Sequence, residues 1–160
     1  MTAPIDFFVP GTPAPQPRPR GQLIRGPKPF IKIYTPNDAK DWKEAVARYA
    51  LASFRITPLD EPLRLCLSFR MQRPQSHSLK NGLRLNAPVF HLSTPDLDNL
   101  EKAVMDALTG ILWRDDSIIC QKYAEKVYVS PGQDTGVRIL VTRPVTDFIP
   151  DPTLLEASCS

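Results

Sequence analysis

The sequence has few of the residues that mark several common classes of protein. Of its 160 residues, only three are cysteines and two are histidines. The cysteines lie far apart without a CxxC pair, and neither histidine has a partner at metal-ligand spacing, which disfavours a disulfide framework and a zinc site. No apolar run approaches the roughly 18 residues of a membrane span, and no basic and then apolar leader opens the chain. We therefore expect a cytoplasmic protein that does not bind membranes.

Glycine is also scarce, with seven residues, and none of them forms a phosphate-binding loop ahead of a helix. A nucleotide cofactor is therefore not expected. Proline, by contrast, is abundant, with 18 residues. Hydrophobic residues make up 42% of the chain and charged residues 23%, which is typical of a globular protein. The length predicts one domain over residues 1–160.

Hydrophobic periodicity predicts an α+β fold, with a mixed sheet of about five strands and two main helices packed on it. Strands are expected at residues 5–9, 30–34, 63–70, 118–129 and 137–143, the last two as a hairpin. A first helix is expected from a cap at residues 35–38 to about residue 54, with a buried stripe of Trp42, Ala45, Val46 and Tyr49. Residues 10–29 hold seven prolines and predict an extended basic loop, and residues 144–160 predict a loosely attached tail.

The second helix follows Pro95 and carries most of the chemistry. Apolar residues recur along it at i, i+3, i+4, i+7 and i+8, as one buried helical face requires. These are Leu100, Ala103, Val104, Ala107 and Leu108. Asp98, Lys102 and Asp106 lie along the opposite face of the helix. Gly110 is well suited to follow the last turn of the helix.

Carboxylates flank this helix on both sides. Asp96 and Asp98 stand at its entry, and Asp115 and Asp116 follow its end. Neighbouring carboxylates repel one another and stay ionised only when cations fill the cluster, and their hard oxygens suit magnesium, manganese or calcium. The next strand could bring the second pair back toward the first. As an alternative to a metal site, Asp98 and Glu101 could form a capping box at the start of the helix, but this would account for Asp98 alone.

Three spaced blocks resemble the signature of the RusA-type Holliday junction resolvases, small magnesium-dependent endodeoxyribonucleases common in phages and prophages. The blocks are Asp96-Leu-Asp-Asn-Leu-x-Lys102, Asp106-Ala-Leu108 and Asp115-Asp116, and the signature spans 21 residues from the first block to the last. A weaker similarity extends to Gly11-Thr-Pro13 with Arg18 and Arg20, and to Lys126-Val-Tyr128. The resemblance predicts a RusA-like fold.

The resemblance also implies roles for particular residues. Asp96, Asp98 and Asp116 would bind the metal, Lys102 would be catalytic, and Asp115 is a further possible ligand. The expected cofactor is Mg²⁺, with Mn²⁺ as a substitute, and one or two ions would polarise the scissile phosphate and activate water. We expect Asn99 to hydrogen-bond a ligating carboxylate.

The expected substrate is a four-way DNA junction, cut symmetrically during recombination and repair. The resemblance implies a homodimer, whose two-fold symmetry suits that of the junction. Arginines and lysines outside the acidic helix are expected to contact DNA phosphates. These are Arg18, Arg20, Arg25, Lys28, Arg73, Lys80 and Lys126. Two alternatives stay open: a non-catalytic protein that binds junctions or forks, and a metal-dependent nuclease of another branched substrate.

Overall fold

A computed structural model describes residues 3–17, 20–34, 39–54 and 57–145, with the backbone alone at residues 20–22 and 32–34. The strands are β1 (Ile5–Pro10), β2 (Arg20–Ile24), β3 (Phe30–Tyr34), β4 (Leu63–Met71), β5 (Ser78–Leu79), β6 (Gly82–Leu83), β7 (Ile119–Tyr128) and β8 (Gly136–Thr142). The helices are α1 (Lys40–Ser53) and α2 (Leu97–Leu108). None of the described helices is long and apolar enough to cross a membrane.

The main sheet has four strands in the order β1-β8-β4-β7. β4 pairs in parallel with β7, whereas β8 is antiparallel to both of its neighbours, so the sheet is mixed. Along β4, Leu63, Leu65 and Leu67 are buried in the core and the intervening residues are half-buried, as a period of two requires. The predicted α+β fold with two helices and a mixed sheet is confirmed.

Two predicted pairings are wrong. β7 and β8 do not form a hairpin with each other, because the strongly apolar β4 lies between them and pairs with both. β3 is not the fifth strand of the sheet but pairs with β2 in a separate antiparallel hairpin. The prediction of an extended loop across residues 10–29 therefore fails at β2. The prolines of this segment lie at or before residue 19 and at or after residue 27, and the residues between them keep the N–H groups that pairing needs.

Helix α1 packs against α2 and β1. Its buried residues are Trp42, Val46 and Ala50, whereas Tyr49, which was expected in this stripe, is exposed. The buried residues recur at every fourth position from Trp42 to Val46 and Ala50, so Ala50 faces the core in place of Tyr49. The residue at the helix N-cap is Ala39, without a side-chain cap. The predicted cap at residues 35–38 lies outside the described residues, as does the tail from residue 146 onward.

Helix α2 buries all five predicted apolar residues and ends at Leu108. Its C-cap is Thr109, and Gly110 follows with a φ of 80°. It connects the parallel strands β4 and β7, which can be joined only by such a crossover. The helix therefore runs opposite to both strands. Its first turn lies where β7 ends, and its last turn lies where β7 begins. This direction decides where the acidic residues lie.

Candidate functional site

Asp96 and Asp98 lie exposed at the start of α2. Asp96 is the N-cap residue but makes no side-chain capping bond, and Asp98 lies inside the first turn. Glu101 is nearly buried and forms an ion pair with Lys122, with 2.5 Å between Oε2 and Nζ. Because Asp98 is not the cap and Glu101 is engaged elsewhere, the predicted capping-box alternative does not explain this pair of carboxylates.

The turn that leads into Asp96 is held by β7. The Lys126 ammonium donates hydrogen bonds to the carbonyl oxygens of Ser93 and Pro95, each at 2.7 Å. The main-chain N–H of His91 donates to the Lys126 carbonyl at 3.0 Å. The end of β7 thus fixes the segment from which both carboxylates project.

The proline-rich segment passes along the other side of this first turn. The Gln16 N–H donates to the Asn99 carbonyl at 2.8 Å. Lys43, on α1, donates to the side chain of Gln16 at 3.2 Å and to Asp106 at 3.3 Å. The chain therefore enters its basic stretch beside the acidic end of α2.

Lys102 is exposed one turn after Asp98, on the same face of α2. Asn99 is half-buried. The catalytic role of Lys102 and the hydrogen bond expected from the Asn99 amide to a ligating carboxylate both stay predictions.

Asp116 lies at the opposite end of the helix. Its Oδ1 accepts hydrogen bonds from the Thr109 hydroxyl at 2.5 Å and from the Trp113 indole N–H at 2.8 Å. Thr109 is the C-cap of α2, so the helix separates Asp98 from this contact by about 17 Å at a rise of ~1.5 Å per residue. The described parts of the chain contain no group of three or more Asp, Glu, His or Cys side chains that could hold a metal ion.

The prediction that the next strand returns Asp115 and Asp116 to the Asp96 end is therefore wrong within one chain. β7 begins after the acidic turn and runs back along α2, so it brings Lys126 to that end and leaves the aspartates behind. Sequence reasoning missed Thr109 and Trp113 as the partners of Asp116. The signal in the sequence was the nearness of a donor, because Trp113 precedes Asp116 by three residues and a buried indole N–H usually finds an acceptor.

Asp115 has a local explanation. Its carboxylate accepts a hydrogen bond from the Ser117 N–H at 2.9 Å and so caps the 3-10 turn Asp116–Ile118. Hydrogen bonds from Ser117 hold the pKa of Asp115 below its usual range. Its role as a metal ligand stays a prediction.

Some of the basic residues expected to contact DNA are exposed, whereas others donate hydrogen bonds to the protein's own main chain. Arg25, Lys28 and Lys80 are exposed, the first two after β2 and the third on the turn between β5 and β6. Arg73 donates to the carbonyls of Val129 at 3.0 Å and Pro88 at 2.9 Å. Arg18 lies outside the described residues, and only the backbone of Arg20 is described.

Arg73 and Lys126 thus direct their donors to main-chain carbonyls of the protein itself, because both lie under the loop that precedes α2. The contact of these two residues with DNA stays a prediction.

Tyr128 is the centre of an aromatic cluster beneath the same loop. The rings of His77 and His91 lie 5.1 and 4.9 Å from its ring, and the Arg73 guanidinium lies 5.0 Å from it. Burial, and then the charge of Lys126, lower the pKa of His91. The histidines therefore pack this loop against β7.

The site thus presents two exposed carboxylates, Asp96 and Asp98, beside the segment that leads into the basic stretch of the chain. The sequence model of the family Endodeoxyribonuclease RusA matches residues 10–142. The chain belongs to this family of Holliday junction endodeoxyribonucleases, as its three sequence blocks predicted. It is also 30% identical over 142 residues to "Uncharacterized protein YqaN" of Bacillus subtilis (strain 168), a match that covers 86% of this chain and 94% of that protein.

Proposed function

We propose that the protein is a divalent-metal-dependent endonuclease that resolves four-way DNA junctions by symmetric hydrolysis of phosphodiester bonds. The observation that supports this most strongly is the pair of exposed carboxylates, Asp96 and Asp98, at the start of α2. Membership of the RusA family supports the substrate. The proposal places the reacting phosphate at this end of the helix.

The donor chemistry of the site fits a hard divalent cation. Mg²⁺ keeps several waters and typically uses only one or two protein carboxylates, which is what Asp96 and Asp98 offer. When bound, Mg²⁺ or Mn²⁺ would polarise the phosphate and lower the pKa of an attacking water. Lys102, one turn away, would stabilise negative charge that develops on the phosphate oxygens. Asn99 would orient one of the carboxylates by a hydrogen bond.

A homodimer is part of the proposal, because one chain does not bring Asp116 to the other two aspartates. In a two-fold dimer, a contact from residue i to residue j is repeated from j to i. Two α2 helices packed side by side in opposite directions would set Asp98 of each subunit near the partner subunit's Asp116. The dimer would then carry two equivalent sites, which suits a junction with near two-fold symmetry.

A subunit-mixing experiment tests this arrangement. Asp98→Asn and Asp116→Asn homodimers should each fail to cut. In a mixed dimer, one of the two sites keeps all three aspartates, so mixing the variants should restore cutting on one strand of the junction. A protein that sediments as a monomer while cutting at the full rate would contradict the shared site.

DNA contact is proposed for the exposed cations Arg25, Lys28 and Lys80, and for Arg18 and Arg20. The hydrogen bond from Gln16 to Asn99 supports this, since it directs the chain into its basic stretch next to the acidic end of α2. Cations there would hold the DNA backbone beside carboxylates that would otherwise repel it.

Asp98→Asn tests the metal-binding assignment. We expect this variant to lose Mg²⁺-dependent cleavage of a synthetic junction and to keep measurable binding of that junction. The matched control is Asp134→Asn, the same change at an exposed position in the turn between β7 and β8, which should cut like the wild type. Cleavage by Asp98→Asn at the wild-type rate would remove the assignment, and a wild type that binds junctions without cutting them would favour a non-catalytic binder.

A further inference from the structure

We propose that Lys126 is a positioning residue that fixes the turn presenting Asp96 and Asp98 to the metal. This inference deepens the proposed function and rests on it. In this role the Lys126 ammonium binds the protein's own main chain instead of a DNA phosphate.

The position of the Lys126 ammonium is the first argument. It lies 2.7 Å from the carbonyl oxygens of both Ser93 and Pro95, and the Pro95 carbonyl belongs to the peptide that joins Pro95 to Asp96. Hydrogen bonds from a cationic donor are short and strong. Two of them on carbonyls two residues apart fix the direction in which the chain enters α2, and hence the direction of the Asp96 and Asp98 side chains.

The main chain supplies the second argument. Short antiparallel pairing joins the loop to the end of β7: the Tyr128 N–H donates to the Val89 carbonyl at 2.8 Å, and the His91 N–H to the Lys126 carbonyl at 3.0 Å. Phe90 and Val127 form the bridge between these bonds. This main-chain pairing ends before the loop turns into α2. Closer to α2, the Lys126 side chain donates to the Ser93 and Pro95 carbonyls.

The surroundings of Lys126 give the third argument. His91 packs against Tyr128 with its ring centroid 4.9 Å away, and burial followed by the Lys126 charge lowers the pKa of His91. The cations beside this cluster are therefore the Lys126 ammonium and the Arg73 guanidinium, whose donors bind other main-chain carbonyls of the protein. Lys126 is itself half-buried, so its charge is directed to the turn and is poorly placed for phosphates in solution.

Metal binding without DNA is the first readout. Mn²⁺ affinity can be measured from the EPR signal of free Mn²⁺ at neutral pH. Loss of a group that orients metal ligands typically costs 10–100-fold in affinity, so Lys126→Met should bind Mn²⁺ at least about tenfold more weakly than the wild type. Lys126→Arg keeps cationic donors and should recover most of this loss. Amide exchange at residues 96–99 should also become faster in Lys126→Met.

Junction binding is the second readout. A lysine that contacts a phosphate contributes about 0.9 to the slope of log affinity against log salt. Lys126→Met should leave this slope unchanged, whereas the exposed control Lys80→Met should lower it and keep wild-type Mn²⁺ affinity. Thermal unfolding of each variant shows whether it folds. If Lys126→Met does not fold, the neutral Lys126→Gln takes its place with the same two readouts.

The outcomes separate this inference from the function on which it rests. Mn²⁺ affinity that is unchanged in Lys126→Met, or a salt slope that falls while Mn²⁺ affinity stays constant, would overturn the positioning role. If the wild type binds Mn²⁺ and Asp98→Asn does not, the proposed metal site stands even then. If the wild type itself shows no Mn²⁺ binding and no cutting, the proposed function fails first.

Discussion

Replacing Asp116 with asparagine and with alanine separates the contacts of this residue from its charge. The Asp116 Oδ1 accepts from Trp113 at 2.8 Å and from Thr109 at 2.5 Å. Asparagine offers an oxygen of the same shape to both donors, while alanine offers none. We therefore expect the two variants to lose metal-dependent cleavage alike and to differ in stability.

The expected loss of stability in each variant follows from the burial of Trp113. Trp113 has no exposed surface, so alanine would leave a buried N–H without an acceptor at a cost of about 1–3 kcal/mol. The Thr109 hydroxyl keeps a second acceptor, the Met105 carbonyl at 2.9 Å, and adds little to this cost. Asparagine exchanges a charged acceptor for a neutral one and should cost about 1 kcal/mol or less.

Urea unfolding followed by tryptophan fluorescence measures the stabilities, and junction cleavage in Mg²⁺ measures the activity. Trp113→Phe is the matched control, because it removes the N–H that Asp116→Ala would strand. The two changes together should therefore cost less than their sum. Equal destabilisation by asparagine and alanine would refute the structural part of this reasoning, and wild-type cleavage by Asp116→Asn would refute the part that concerns charge.

Three further predictions concern stability and binding. Lys122→Met should lower the free energy of unfolding, measured in urea, by about 1–3 kcal/mol. This is less than the loss expected for a fully buried ion pair, because the side chain of Glu101 is 11% exposed and that of Lys122 is 46% exposed. Adding Glu101→Gln should recover part of the loss, because it removes the charge left without its partner. His91 has a lowered pKa when folded, so its contribution to stability should fall as pH drops below about 6.5, and His91→Phe should flatten the stability profile between pH 7 and 5 in unfolding experiments. Lys80→Ala should weaken junction binding and reduce the salt slope by about 1 in a titration of affinity against salt.

The parts of the fold that the sequence predicted are those that depend on one element at a time. α2 and β4 each bury a regular row of apolar residues, so their period and their buried faces could be read from the chain. The ends of α2 were equally local, since Gly110 supplies the positive φ that follows the last turn.

What the sequence did not predict depends on how elements are placed relative to one another. Asp96 and Asp116 are only 20 positions apart in the sequence, but the length and direction of α2 place them at opposite ends of the helix. The contacts of Lys126 span 33 and 31 residues, and no local pattern marks them. The order of the sheet was missed for the same reason, because the turn between β7 and β8 resembles a hairpin loop although β4 lies between the two strands.

The pair of carboxylates at the start of α2 is tested most directly by mapping the cuts that the protein makes in DNA. Wild-type protein and Asp98→Asn would be incubated at equal concentration with a labelled four-way junction, a duplex and a single strand of matched sequence, with and without Mg²⁺, and every strand resolved on denaturing gels. We expect paired cuts at symmetric positions in two junction strands of like polarity, present only with Mg²⁺ and absent with Asp98→Asn. Cuts that persist without a divalent metal, or that Asp98→Asn makes as well as the wild type, would contradict it.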